Sequence, residues 1–237
     1  DVVISATDIP SNLKKAVGIK LVGEWGSEEF AELPLALGTS GFLSSNITLE
    51  RIDMSEARIK EGTSLSKDGL SGKVGIFLNC KKLSTVIMPD AENASKFTDM
   101  TGAFQNCIEL VKIDLSNCVG VKMLKCSFYG CTKLKDIDLS RMKLLSSKSA
   151  LAESFSNCES LASVKLPPEC QLSNGTFKNC VKLSMIDWRA YSGASIPSYF
   201  AGAFEGLSDL SKIQLWVPDS KVSEFREDKN WSKFTIM

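Results

Sequence analysis

The chain has 237 residues, 43% of them apolar, and its 28 Lys and Arg balance 28 Asp and Glu with no histidine at all. A formal net charge of zero without a polybasic run argues against nucleic acid, whose phosphates call for a basic patch, and against anionic membrane surfaces. The missing histidine removes the Ser-His-Asp and Cys-His nucleophile systems, and neither Gly-x-Gly-x-x-Gly nor Gly-x-x-x-x-Gly-Lys-Ser/Thr occurs.

In chain order, the alternation of Val17, Ile19 and Leu21 predicts a strand. A helix is expected over Ser27 to Leu37, with Ser27 as N-cap and Glu28 and Glu29 favourably placed in the first turn. Residues 1–40 then form a first coil and cap. Leu49-x-x-Ile52-x-Met54 predicts the next strand, with Leu43 standing where later copies have Phe. The interval from Leu43 to Phe77 holds Gly62, Gly69, Gly72 and Gly75 and is too long for one regular copy, so a distorted coil or a loop is expected there.

From Phe77 the chain repeats itself six times, as Phe-x-Asn/Gly-Cys-x-x-Leu-x-x-Ile/Val-x-apolar. The copies start at Phe77, Phe104, Phe128, Phe155, Phe177 and Phe204, separated by 27, 24, 27, 22 and 27 residues. A constant frame with variable spacers marks a repeat array in which each unit buries its apolar face only against its neighbours. The closing Leu-x-x-Ile-x-Leu has the period of a short strand with one buried face, and stacked copies would pair these strands in parallel. A short turn of helix is expected to carry each Phe. After it, Asn79, Asn106, Gly130, Asn157, Asn179 and Gly206 share one position, which predicts a left-handed residue that turns the chain into its strand. Residues 41–215 are the repeats and 216–237 the C-terminal cap. In that cap a strand over Lys212 to Val217 ends at Pro218, a helix runs from about Asp219 to Arg226, and Trp231, Phe234 and Ile236 close the last coil.

Five of the eight cysteines (Cys80, Cys107, Cys131, Cys158, Cys180) fall in one position, which Leu207 takes in the last copy. A position that accepts Leu is a packing position, so buried reduced thiols are expected. A single disulfide among Cys118, Cys126 and Cys170 stays open at this level, while zinc, lacking histidine and Cys-x-x-Cys, is not expected. No cofactor is called for.

The residues between buried strand positions face outward and supply the candidate ligand-binding set. They are Asp53, Lys112, Asp114, Asp136, Asp138, Lys165 and Asp187, with Asp114 and Asp138 expected on adjacent strands about 4.8 Å apart. Two readings apply: a striped platform for a polar partner, or a solvated sheet face whose Asp residues cap neighbouring turns and whose charges block edge pairing. A second candidate is the insert Arg189 to Gly202, where Tyr191 and Tyr199 either present a recognition loop or are a long connection with buried aromatics.

The pattern Phe-x-Asn-Cys-x-x-Leu-x-x-Ile-x-Leu resembles the BspA-like leucine-rich repeat of surface proteins from Bacteroides-type bacteria. Gly18 to Gly23, Ser27, Phe30 and Leu49 to Ile59 are similar to its opening region, and Leu215 to Pro218, Phe225 and Trp231 to Phe234 to its exit. The resemblance implies an α/β solenoid, a right-handed superhelix of about eight or nine coils with short parallel strands on one face and helical turns and loops on the other. It also implies a non-catalytic, cell-surface or secreted binding module of adhesion type, recognising a host or bacterial surface protein or glycan. A structural stalk holding another domain away from the cell is the alternative. The sequence opens on Asp1 rather than Met, so a trimmed or mature product is expected, with any signal peptide or lipid anchor outside it. A monomer is expected.

Overall fold

The computed structural model describes residues 1–38, 46–69, 72–144 and 149–237. The chain begins with β1 (Val2–Ser5), β2 (Gly18–Trp25), helix α1 (Ser27–Leu37) and β3 (Arg51–Ile59). Short strands follow: β4 (Thr63–Ser64), β5 (Ser66–Gly69), β6 (Gly72–Gly75) and β7 (Thr85–Ile87). Helix α2 (Ala91–Ala94) and β8 (Phe97–Asp99) come next, then β9 (Asp136–Asp138), β10 (Ser163–Lys165), β11 (Met185–Asp187) and β12 (Gln214–Trp216). Helix α3 (Val222–Glu227) and β13 (Thr235–Ile236) complete the chain.

Two parallel sheets carry the repeats, one in the order β1-β2-β3-β7 and one in the order β9-β10-β11-β12-β13. Neighbours pair in the frame the sequence sets: Ile19 opposite Ile52, Ile52 opposite Val86, Ile137 opposite Val164, Val164 opposite Ile186. The core is a set of ladders. Phe77, Phe104, Phe128, Phe155, Phe177 and Phe204 stack in succession with ring centroids 5.6 to 5.8 Å apart. The five ladder cysteines are fully buried beside them.

The Phe segments are not helical turns, with the exception of a 3-10 helix at Ala201–Phe204. Each is a tight turn hydrogen-bonded sideways to the next copy: Phe104 N–H donates to Ser127 O (2.9 Å), Phe128 to Ser154 (2.9 Å) and Phe155 to Thr176 (3.0 Å). Lateral bonds satisfy backbone groups that a single helical turn would leave unpaired. The residue after each turn is left-handed as expected, with φ between 59° and 62° at Asn79, Asn106, Asn157 and Asn179, and 71° and 84° at Gly130 and Gly206.

Several expectations shift. Two parallel strands, β1 and β2, stand where one was expected in residues 1–38. The N-cap of α1 is Gly26, whose N–H donates to Glu29 Oε2 (2.8 Å), while the Ser27 hydroxyl accepts from Ser64 N–H (2.9 Å). The glycine-rich interval folds into an antiparallel hairpin, β5 with β6. Leu43, expected in the Phe position, lies outside the described residues. Residues 112–115 form no strand, although Ile113 and Leu115 are buried as predicted. At the C-terminal end a 3-10 helix over Leu210–Lys212 takes up two residues, so Ile186 pairs with Leu215 and Asp187 with Trp216 rather than with Gln214. The exit helix is split into a 3-10 turn, Asp219–Lys221, and α3; Trp231, Phe234 and Ile236 are buried over the last coil, and β13 adds a strand there.

Candidate functional site

The outward strand positions form one face, on which the aspartates share a geometry. Asp53 Oδ1 accepts from the Ser55 N–H and hydroxyl (3.0 and 2.6 Å), and Asp138 Oδ1 accepts from the same two groups of Ser140 (3.0 and 2.6 Å). Asp114 Oδ1 accepts from Ser116 N–H (2.9 Å), and Asp187 Oδ1 from Arg189 N–H (3.1 Å). One oxygen of each carboxylate thus bonds the residue two positions on, capping the turn that ends β9 and β11 for Asp138 and Asp187 and holding a register shift inside β3 for Asp53. In three of them the other oxygen holds a cation: Arg51 on Asp53 (3.1 Å), Lys165 on Asp138 (2.8 Å) and Arg189 on Asp187 (2.7 Å).

These contacts set the charges. The Arg189 guanidinium holds Asp187 below the usual carboxylate range. Burial works against ionisation of Asp53 and Asp138, but bonds from Ser55 and Arg51, and from Lys165 and Ser140, keep both low. The Ser116 bonds lower Asp114, against a small opposing push from the neighbouring Asp138 charge. Asp53 and Asp187 are buried under their own turns and cations rather than open to solvent. Asp136 and Lys112 are exposed. Lys112, Asp114, Asp136, Asp138 and Lys165 come together around a groove of about 370 Å³, with Ser163 and Met185 on its rim.

Tyr191 and Tyr199 belong to a different place. Both line a cavity of about 420 Å³ between the segment after β10 (Glu169 to Leu172) and the insert after β11. Tyr191 packs edge-on against Trp188 (5.1 Å) and donates its hydroxyl to Ser195 O (2.5 Å). Tyr199 stacks on Phe204 (6.0 Å), with Lys233 over its ring. Burial raises the pKa of both phenols. The insert is tied to the C-terminal cap, since Trp231 Nε1 donates to Pro197 O (2.8 Å) and Lys221 Nζ to Ala194 O (2.6 Å). Both tyrosines therefore act as packing residues that also wall a cavity.

Reasoning from sequence missed Trp216 and Arg189. The two-residue shift puts Trp216 on the outer face beside Asp187, where the Arg189 guanidinium lies over its ring at 5.2 Å while gripping Asp187 through Nε and Nη2 (3.0 and 2.7 Å). Its signal was legible, because Leu215-Trp-Val217 fits the strand pattern as well as Ile213-Gln-Leu215 does.

All eight cysteines are free, which settles the open disulfide question, and no group of three potential metal-holding side chains occurs among the described residues. The ladder thiols donate to the Phe carbonyl of the preceding copy: Cys107 to Phe77 (3.3 Å), Cys131 to Phe104 (3.1 Å), Cys158 to Phe128 and Cys180 to Phe155 (3.0 Å each).

Against known families, the chain matches the model of the BspA type leucine-rich repeat region in six copies, over residues 73–151 and 146–236. None of the curated proteins matches it.

Proposed function

Because this chain belongs to the BspA-type leucine-rich repeat family, we propose that it is a non-catalytic binding module that presents its strand face to a protein or glycan outside the cell. Leucine-rich repeat modules are generally protein-interaction scaffolds, and the family is typically non-catalytic and usually surface-exposed or secreted. No helix among the described residues is long and apolar enough to cross a membrane. We read the stacked copies as a right-handed solenoid of about eight or nine coils.

One observation supports the reading above the rest. Four aspartates of the strand face are fixed in advance: Asp53, Asp114, Asp138 and Asp187 each bond the residue two positions on, and three of them also hold a cation. A prearranged polar surface binds without first losing side-chain freedom. Trp216 and Arg189 add residue types that dominate interface energetics, at the C-terminal end of the same face. The alternative, a stiff spacer for another domain, draws on the unbroken Phe stack.

The test is a binding screen of the purified chain against immobilised extracellular-matrix proteins and a glycan array. Asp114→Lys/Asp138→Lys, Trp216→Ala and Tyr191→Ala/Tyr199→Ala variants run alongside. A saturable hit lost in the first or second variant supports the strand face, and one lost only in the tyrosine pair moves the site to the cavity. Silence throughout, with all proteins folded, favours the spacer.

A further inference from the structure

The two sheets are one row of strands with a single missing member, residues 112–115. Elsewhere in the second sheet the residue after each strand donates to the next copy: Leu139 N–H to Lys165 O (2.9 Å), Leu166 to Asp187 (2.9 Å) and Trp188 to Trp216 (2.7 Å). The corresponding bond from Leu115 to Asp138 is not formed, and among the described residues no acceptor meets a backbone N–H of residues 112–115. The start of this coil is held to the next just before the gap, by Lys135 N–H to Val111 O (3.1 Å), by the Thr132 hydroxyl to Ile108 O (3.4 Å) and by the exposed Lys133–Glu109 pair (2.7 Å). On the opposite side of the same coil the turns are fully linked. Phe77 donates to Ala103 (3.0 Å) and Asn79 to Gln105 (2.8 Å); Phe104 donates to Ser127 (2.9 Å) and Asn106 to Tyr129 (2.7 Å). The Phe77, Phe104 and Phe128 rings stack across it without interruption.

One face of this coil is therefore zipped and the other is open, which is the geometry of a hinge. Its charges point the same way. In the repeat frame Lys112 and Asp136 occupy matching outward positions of adjacent copies, as Asp138 and Lys165 do. Asp138 and Lys165 are paired at 2.8 Å, whereas Lys112 and Asp136 form no ion pair. We propose that the array flexes at residues 111–115, between this open state and a closed one. In the closed state the strand ladder is complete and Lys112 is latched to Asp136. The pivot is the continuous Phe stack, and the groove around Lys112, Asp114 and Asp136 widens or narrows with the angle. A partner lying across both halves of the strand face fixes that angle, so the curvature of the face adjusts to what it meets.

The experiment is hydrogen exchange by mass spectrometry on the unliganded chain, with rates corrected for sequence. Wild type, Asp136→Lys and Lys112→Asp/Asp136→Lys are compared. The peptide covering 111–116 is expected to exchange about tenfold faster than those covering 136–139, 163–166 and 185–188. Asp136→Lys, which sets two lysines against each other, should speed 111–116 further while leaving 185–188 unchanged, and the charge swap should restore the wild-type rate. Equal protection at 111–116 and 136–139 would show a continuous sheet and overturn the hinge. If all three proteins exchange alike at 111–116, the latch is wrong. Should Asp136→Lys loosen the whole chain, the deciding comparison is wild type in about 1 M salt, which screens an exposed ion pair. A rise confined to 111–116 upholds the latch there, and no rise rejects it.

Discussion

Asn157 shows how much one residue of this frame is asked to do. Its backbone sits at φ 62°, and its side-chain oxygen accepts from Asn179 Nδ2 at 2.8 Å, just as Asn79 accepts from Asn106. Asparagine is tolerated in the left-handed region and supplies a cross-copy bond, two separable contributions. Asn157→Gly keeps the backbone and loses the bond, so it should cost about 1 kcal/mol; Asn157→Ala loses both and should cost about 2 to 3 kcal/mol in urea denaturation. Equal losses would mean that the bond alone matters. The ladder stops at Gly130 because a Cβ there would fall against Asn106 Oδ1. A second left-handed position, two residues before the Phe, holds Gly102, Cys126, Glu153 and Gly175. It escaped the sequence reading because Cys126 and Glu153 mask the glycine pattern.

The thiols belong to the same scale. Burial pushes Cys80, Cys118, Cys131 and Cys180 up to about 12, against about 8.5 for a solvated thiol. A group whose folded pKa is raised contributes stability that is complete below its unfolded pKa and is lost as pH climbs through the folded value. The urea midpoint should therefore fall steadily from about pH 9 towards pH 12. At pH 8 a thiol reagent should reach Cys126, the one cysteine not fully buried, and the others only after denaturation. A second thiol reacting in the folded protein would contradict the burial.

Among the elements, those whose pattern is a period were legible and those whose pattern is a close approach were not. Apart from residues 112–115, where the expected strand does not form, the strands from Ile52 to Ile186, the left-handed position and the aromatic cap followed from apolar spacing and from Asn or Gly, whose physical meaning is local. Strand β1 was not foreseen: its Val2 and Val3 are partly exposed and only Ile4 is buried, so it lacks an inward stripe. The β5–β6 hairpin was foreseen only as irregularity. Of its glycines, Gly75 carries a specific burden, because a Cβ there would run into the Gly102 carbonyl oxygen of the next copy. Gly75→Ala should separate the two copies and lower stability by about 3 kcal/mol, measured by thermal unfolding. Gly62→Ala is a useful contrast, since nothing stands near its Cβ and only the φ of 74° opposes it. If both substitutions cost the same, backbone conformation rather than close approach governs this region. Of the site residues, the strand charges came from the period-2 reading, and Trp216 was missed because Ile213-Gln-Leu215 and Leu215-Trp-Val217 fit that period equally, so only the 3-10 helix over Leu210–Lys212, which shifts the pairing by two residues, decides between them.

For the molecule as a whole, a linear array makes stability a sum of copies and of contacts between neighbours, so damage at one end should stay there unless the copies are strongly coupled. Trp231 is the place to ask. It is 1% exposed and meets Phe204, Phe225, Phe234, Tyr199 and Trp188, while its indole N–H holds the insert through Pro197 O. Trp231→Ala removes the keystone of the cap at a cost of about 3 to 5 kcal/mol. If the cap acts only on its neighbours, hydrogen exchange should quicken in residues 189–202 and 213–236 and remain unchanged over 77–110. The cavity walled by Tyr191 and Tyr199 should loosen with it, because its insert is anchored to the same cap. Uniform quickening would instead show that the Phe stack couples both ends, and that a partner bound to the last coils is felt at the first. The 112–115 break in the strand ladder predicts the local outcome: coupling past that coil runs through the turns, the rings and the few bonds just before the gap, such as Lys135 N–H to Val111 O.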